Sequence, residues 1–252
     1  MRSKVLTGRG LFLSAGLLFV AVLLGAGLLG GRSGSDPAAI FDTPQTVALA
    51  RAIAVGDEPA VRTLVGDGAD LADRGQDGVT LLQWSMIEDR PDMLELLLEL
   101  GADPAQIGYG EMTALHAAAG AKGKPFLRIL LDSDASPDLQ DGRTQAPVLA
   151  QALMTGNRDA VQLLLAHRAN PNLADRSGDT PLHVAAQISD YASLVTLLEA
   201  GADPTIRNRA GKTFAPLFAI APKESMLNAE TKAARQAVRD WLDDHGYAEV
   251  LQ

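Results

Sequence analysis

The sequence predicts an all-α fold: a solenoid of stacked helix-turn-helix units with β-hairpin turns, preceded by one hydrophobic N-terminal helix. The phrase LLELGADP begins at Leu97 and returns with one change at Leu197. An alanine in the same context recurs every 33 or 34 residues, at Ala69, Ala102, Ala135, Ala169 and Ala202. An uncharged apolar run also fills residues 11–31. A fixed period of this size indicates a repeat array.

Residues 1–10 form a basic leader with Arg2, Lys4 and Arg9, and the apolar run 11–31 follows it. A helix of this length rises about 30 Å, which is the hydrocarbon thickness of a bilayer. We expect a retained transmembrane anchor, because the run is longer than a usual signal-peptide core; a cleaved signal peptide is the alternative. The positive-inside rule places the N-terminus in the cytoplasm. In a bacterial cell the protein is then single-pass in the inner membrane with periplasmic repeats, or soluble in the periplasm after cleavage.

The apolar run is followed by a linker at 32–45, rich in Gly, Ser and Pro, and by five repeats within 46–212. The predicted repeats are 47–79, 80–112, 113–146, 147–179 and 180–212. A threonine recurs at the start of successive units, with one replacement by proline, at Thr80, Thr113, Pro147, Thr180 and Thr213. Apolar residues three and four apart, such as Leu94, Leu97 and Leu98, predict a buried helical stripe in each unit.

Residues 178–204 read GDTPLHVAAQISDYASLVTLLEAGADP and resemble the ankyrin repeat, with its T-P-L-H-x-A-A and L-L-x-x-G-A-D phrases. The resemblance extends over about 200 of the 252 residues and implies an ankyrin repeat solenoid. We expect each threonine hydroxyl to cap the first helix of its repeat, and the imidazoles of His116 and His183 to hydrogen-bond back to the turn. The fourth repeat departs from the pattern, since Pro147 and Ala150 replace the threonine and the histidine.

The C-terminal part, 213–252, is predicted to hold a degenerate sixth repeat and a capping helix. The apolar stripe of that helix is predicted at Ala233, Ala237, Val238, Trp241 and Leu242. A helix of this kind seals the last apolar face of the array, and docking of a partner protein on it is the alternative.

Charge and motifs limit the function. The chain has a net charge of −9, and because residues 1–35 hold four basic side chains and no acid, residues 36–252 carry −13. Such a protein repels nucleic acid and favours a partner with a basic patch. The segment 120–126 lacks the residues of a phosphate loop, and 132–138 lacks those of a calcium loop. With no cysteine and no catalytic motif, we predict no catalytic, cofactor-binding or metal-binding residues and no enzyme activity.

A protein-binding surface is the function that the resemblance implies, because ankyrin proteins generally bind partners on the concave face formed by hairpin tips and the ends of first helices. The candidate binding residues are Asp77, Val79, Ile87, Glu88, Tyr109, Met112, Met154, Thr155, Asp179, Gln187, Ile188 and Lys212. The hairpins also contain Gln76, Glu111, Arg143, Arg176 and Arg207. We expect a monomeric array. The resemblance to exported bacterial ankyrin proteins suggests a partner of a periplasmic enzyme or an immunity protein against a secreted toxin; a scaffold of an envelope assembly is the alternative.

Overall fold

The computed structural model describes residues 36–219 and 227–251. Within these residues the secondary structure consists of helices, and the hairpins contribute only isolated bridges rather than strands. The basic leader, the apolar run 11–31 and the start of the linker lie outside the described residues. No helix in the described part of the chain has the length and hydropathy needed to cross a bilayer.

The described residues divide into two compact units, of which the first comprises residues 36–102 together with Gly108–Gly110. Its α-helices are α1 (Pro44–Val55), α2 (Glu58–Gly66), α3 (Leu81–Ile87) and α4 (Pro91–Glu99). The helix α1 packs against α2 and α3, and α3 packs against α4. The unit therefore contains two helix pairs whose first helices are neighbours.

The end of the predicted linker 32–45 is part of this first unit. Phe41 is buried, and its ring meets the ring of Trp84 edge-on with 5.8 Å between centroids. The side chain of Thr43 caps α1, so that this helix begins at Pro44. The linker prediction was wrong for these residues, because a composition rich in Gly, Ser and Pro obscured a single aromatic side chain that the first repeats bury.

The second unit comprises Asp103–Ile107 and the chain from Glu111 onward. Its α-helices are α5 (Ala114–Gly120), α6 (Phe126–Asp132), α7 (Val148–Met154), α8 (Arg158–Ala166), α9 (Pro181–Gln187), α10 (Tyr191–Glu199), α11 (Ala215–Ala219) and α12 (Ala229–Asp244). The first helices α5, α7, α9 and α11 pack side by side in that order, and α12 packs against α10. The predicted helical stripes are buried; for example, the side chains of Leu194 and Leu197 have no exposed surface.

A buried histidine joins the third repeat to the fourth. The Nδ1 atom of His116 lies 2.7 Å from the hydroxyl of Thr113, and its Nε2 atom lies 3.1 Å from the carbonyl oxygen of Ala146. Because a carbonyl can only accept, Nε2 carries the hydrogen and Nδ1 is the acceptor. Ala146 directly precedes the first residue of the next repeat. The expected cap is present, and the second bond of the imidazole reaches the following hairpin.

The same connection recurs elsewhere with the same geometry or with a substitute. His183 accepts from the backbone N–H of Thr180 at 3.2 Å and reaches the carbonyl oxygen of Lys212 at 3.0 Å. In the first unit, the Oε1 atom of Gln83 accepts from the backbone N–H of Thr80 at 3.2 Å and from that of Tyr109 at 2.8 Å. A glutamine amide therefore links a helix cap to the following turn in the manner of the imidazole.

The fourth repeat is held by a different side chain. Pro147 precedes α7 without a side-chain cap, and Ala150 has no polar group that could reach the next hairpin. The buried Asn157 instead donates from Nδ2 to the carbonyl oxygen of Ala119 at 2.8 Å, and its Oδ1 accepts from the first turn of α8. One amide thus caps α8 and ties the fourth repeat back to the third.

The C-terminal helix α12 covers the last helix pair. Val238 and Leu242 are fully buried, and the guanidinium groups of Arg235 and Arg239 each lie 5.4 Å from the centroid of the Phe218 ring. The predicted stripe was wrong at Ala233, which is exposed. The arginines cover the aromatic ring through cation–π contacts, which a count of apolar residues overlooks.

The burial of His116 predicts acid-sensitive stability. Burial lowers the pKa of this imidazole from its usual 6.5, so the folded state holds it neutral. Its stabilising contribution is complete above about pH 6.5 and decreases as the pH falls, because the unfolded chain then takes up a proton. Between pH 7.5 and 5.5 the wild type should lose up to about 1.4 kcal/mol more unfolding free energy than His116→Gln, measured by urea denaturation. Equal losses in both proteins would contradict the prediction.

Candidate protein-binding surface

Among the described residues of the second unit, the large apolar side chains that are exposed lie at the C-terminal ends of two neighbouring first helices. Met154 ends α7 and is 59% exposed, and Ile188 directly follows α9 and is 43% exposed. Since α7 and α9 pack side by side, these two side chains occupy adjacent places along one edge of the unit. Apolar side chains that the core leaves uncovered at such a place are available for contact with another molecule.

Tight turns fix the position of this edge. The residues that follow the two helix ends, Gly156 and Ser189, have φ values of 61° and 59°. Each donates its backbone N–H to its preceding helix, Gly156 to Leu153 and Ser189 to Ala186. Left-handed residues with these bonds end a helix sharply. The exposed side chains are therefore held next to short, well-ordered turns.

A polar rim adjoins the apolar pair. Arg158, at the start of α8, forms an ion pair of 2.9 Å with Asp190, the N-cap of α10. Burial alone raises the pKa of Asp190, but hydrogen bonds from Ser193 and Arg158 outweigh that effect, and the net result is a lowered pKa. Arg158 and Asp190 also border a groove of about 270 Å³ whose lining includes Ile188 and Glu230. The rim thus presents a fixed ion pair beside an apolar side chain.

The predicted binding residues divide between the two units. In the second unit Met154, Gln187, Ile188 and Lys212 are exposed, and Thr155 and Asp179 are half-buried. In the first unit Asp77 is exposed, whereas Ile87, Glu88 and Tyr109 are half-buried. Burial raises the pKa of Glu88. The four exposed residues of the second unit lie at first-helix ends or in a hairpin, as the sequence register requires.

Two of the predicted binding residues have almost no exposed surface. Val79 and Met112 are both buried, so their assignment to the binding surface was wrong. Each directly precedes the threonine that caps a first helix, and at this place an apolar side chain packs inward. Lys212, at the equivalent place before Thr213, is exposed because its charged end remains in water.

One exposed apolar residue was missed by the sequence analysis. Val55 ends α1 in the first unit and is 75% exposed. It precedes Glu88 by 33 residues and therefore has the register of a first-helix end. The repeat period identifies this position, because it applies to the first repeat even though that repeat has no Thr-His pair.

No part of the described structure assembles the side chains of a metal centre, because no group of three His, Asp or Glu residues lies close enough together there to hold an ion. The buried His116 and His183 are each engaged at both ring nitrogens. What the geometry offers is a surface of exposed apolar side chains, polar turns and a hairpin edge.

This architecture defines a helical repeat protein of the kind that binds other proteins. The family model for ankyrin repeats, which spans three copies, matches residues 49–141 and 115–208. The chain therefore belongs to the ankyrin-repeat family.

Two curated relatives indicate how widely the repeats are used. Protein PhlB of Serratia liquefaciens is 39% identical over 149 residues, which are 59% of this chain and 65% of PhlB. The E3 ubiquitin-protein ligase KEG of Arabidopsis thaliana is 31% identical over 140 residues, which are 53% of this chain and 9% of the ligase. The chain thus spans less than two thirds of the length of these relatives.

Solved structures share the fold. The ankyrin repeat domain of Bcl-3 matches with a TM-score of 0.66 and 25% identity, over 88% of this chain and 97% of that domain. An ankyrin repeat domain of Acinetobacter baumannii matches with a TM-score of 0.61 and 22% identity, over 78% and 97% of the two chains. A chain from the complex of a predatory endopeptidase of Bdellovibrio bacteriovorus with an immunity protein matches with a TM-score of 0.56 and 23% identity, over 77% and 97%.

The rim ion pair should stabilise the fold mainly through the helix cap. We expect Asp190→Ala to lower the unfolding free energy by about 1 kcal/mol, because it removes the N-cap of α10. Arg158→Ala should cost less, since the arginine side chain is 57% exposed. Because the pKa of Asp190 is lowered, its charge stabilises the fold above its unfolded pKa, and that stabilisation is lost as the pH falls through the folded pKa. Urea denaturation at pH 7 measures both variants; a larger loss in Arg158→Ala would contradict this ranking.

Proposed function

We propose that the protein is a non-catalytic module that binds another protein through the edge formed by the first-helix ends of its second unit. The main support for this proposal is the exposure of Met154 and Ile188 on neighbouring helices, because the other large apolar side chains described in this unit are buried or half-buried. Methionine adapts to irregular partner surfaces and is enriched at interfaces. Isoleucine supplies a fixed aliphatic contact beside it.

The fold does not require an apolar side chain at either of these two places. The equivalent place to Ile188 in the fourth repeat holds Thr155, and the place equivalent to Met154 in the fifth repeat holds Gln187. Polar side chains are therefore compatible with this turn. Full burial of an apolar side chain of this size gives roughly 1.5–3 kcal/mol, and because Met154 and Ile188 are 59% and 43% exposed, about half of that is available from each on binding. Two such side chains suffice for the centre of a binding site with a polar rim.

The partner's class is the finer part of the proposal. The fold that this chain shares with a structure of an endopeptidase bound to an immunity protein supports an inhibitor or immunity role against an enzyme. In a second role, the protein binds a periplasmic enzyme through the same surface without inhibiting it. A scaffold for an envelope assembly is the alternative, and it differs in requiring several partners at once. One stoichiometric enzyme or toxin bound to the chain favours the first two roles over the third.

We expect Met154 and Ile188 to supply most of the binding energy. The double variant Met154→Ala/Ile188→Ala should capture at least about thirtyfold less partner from an extract of the source cells, since loss of one interface hot spot costs about 2 kcal/mol or more. Its thermal stability should remain close to wild type, because both side chains are exposed. Gln162→Ala, an exposed change on the second helix α8, is the matched control and should capture the wild-type amount. Full capture by the double variant would place the binding surface elsewhere.

The cellular location is a separate proposal, supported by the basic leader and the uncharged run at 11–31. We place the protein in the inner membrane as a single-pass protein with its N-terminus in the cytoplasm and its repeats in the periplasm. A soluble periplasmic form arises if residues near the end of the run are cleaved. Both forms present the repeats to partners in the same compartment.

Membrane anchoring predicts that full-length protein sediments with inner membranes and resists extraction with carbonate. Protease should digest the repeats only after the outer membrane has been opened, because the repeats lie between the two membranes. Mass spectrometry of the intact chain distinguishes the retained run from a cleaved one. Repeats that stay protected until the inner membrane is also broken would contradict the proposed orientation.

A further inference from the structure

Three consecutive hairpins of the second unit each carry an exposed arginine. Arg143, Arg176 and Arg209 are 33 residues apart and are all exposed. The last hairpin adds the exposed Arg207 and Lys212. We call Arg143, Arg176 and Arg209 the arginine row. A basic edge of this kind is unexpected in a chain whose residues 36–252 carry a net charge of −13.

The acidic residues of these hairpins are directed into the turns. Asp141 accepts from the backbone N–H groups of Arg143 and Thr144 at 2.8 and 2.6 Å. Asp175 accepts in the same way from Ser177 and Asp179 at 2.7 and 2.9 Å. Both carboxylates are half-buried, whereas the arginines are exposed. The outermost charged groups of these turns are therefore guanidinium groups.

In the next hairpin the equivalent acidic position is neutral. Asn208 replaces the aspartate and accepts from the backbone N–H groups of Ala210 and Lys212 at 3.0 and 3.1 Å. Its Nδ2 atom donates to Asp179 at 2.7 Å. Glu111 is exposed in the preceding hairpin, and its carboxylate lies against Gly142, so that it partly offsets the charge of Arg143 at the end of the basic edge. Across these three hairpins the five basic side chains thus outnumber the three acidic ones, Asp141, Asp175 and Asp179.

Backbone bonds hold these hairpins in sequence. The N–H of Arg176 donates to the carbonyl oxygen of Thr144 at 2.7 Å, and the N–H of Arg209 donates to that of Ser177 at 2.9 Å. Gly142, next to Arg143, donates in the same way to Glu111 at 2.8 Å. Because neighbouring first helices pack roughly 8–10 Å apart, the row extends over about 20 Å. Its spacing matches every third residue of a peptide in the polyproline II conformation, which rises about 3.1 Å per residue and places every third side chain on the same face.

We propose that the arginine row binds an extended acidic segment of the partner protein, with carboxylates at about every third residue. This inference rests on the proposed function and specifies the chemistry of the partner. A guanidinium group binds a carboxylate through paired, directional hydrogen bonds, so that a row of arginines selects both charge and spacing.

The overall acidity of the chain does not prevent this binding. The Debye length at physiological salt is about 8 Å, so that the acids on the distant second helices are largely screened at the hairpins. The same acidity disfavours large polyanions, because a duplex or an anionic bilayer extends over many Debye lengths and meets those acids as well. A peptide segment contacts the basic edge alone. The row therefore favours an acidic peptide over nucleic acid or a lipid surface.

The test uses the full-length chain and a fluorescent peptide of about nine residues with Glu at every third position, which lie on one face in the polyproline II conformation. Fluorescence anisotropy should detect binding that weakens as salt is raised. Arg176→Gln/Arg209→Gln should weaken it by about tenfold, since two exposed ion pairs are lost. Arg128→Gln/Arg168→Gln is the matched control, because it removes two exposed arginines of the same unit that lie outside the hairpins. The control should bind within about twofold of wild type.

Each outcome decides the inference. Absence of peptide binding, equal binding of the same peptide with Gln in place of Glu, or equal loss in both double variants would overturn it. Stronger binding of duplex DNA or of phosphatidylglycerol vesicles than of the peptide would also overturn it, in favour of those ligands. If Arg176→Gln/Arg209→Gln still captures the partner but Met154→Ala/Ile188→Ala does not, the inference about the arginine row is wrong and the proposed function stands. Capture that survives both double variants defeats the proposed function itself.

Discussion

A buried hydrogen bond from one repeat to the next hairpin is the constraint on which the rest of this structure depends. The imidazoles of His116 and His183 each connect a helix cap to the carbonyl oxygen that precedes the next repeat, and the amide of Gln83 makes a comparable connection. A buried polar group without a partner costs about 1–3 kcal/mol. Each of these three side chains therefore fixes the hairpin that follows its helix, while Asn157 ties the fourth repeat back to the third.

This constraint explains why the two candidate surfaces lie where they do. The bond fixes the N-terminal end of each first helix together with the adjacent hairpin, and the left-handed turn at the other end fixes the exposed residues beside it. In the second unit the first end carries the arginine row and the other carries Met154 and Ile188. We propose that the two ends have different roles in recognition: the exposed charges set specificity and the rate of association, while the apolar side chains supply affinity.

The repeat period predicted the helices, the buried stripes and the helix caps from the sequence, because each depends on residues within one repeat or its neighbour. It failed where a single side chain overrides the local pattern. Phe41 inserts an apparent linker into the core, and Val79 and Met112 turn inward at places where a lysine turns outward. The basic hairpin edge was obscured for another reason: net charge averages over the whole surface, whereas a partner contacts a small part of it.

The most direct test of the account is photo-crosslinking in the source cells, with a benzophenone side chain placed in the full-length protein at Met154, at Ile188 or at Gln162. Crosslinking requires contact with the partner, and mass spectrometry of the product then identifies that partner. We expect one discrete crosslinked product from the first two positions and none from Gln162, which lies on the exposed face of a second helix. A product formed from Gln162 and absent from the other two positions would contradict it.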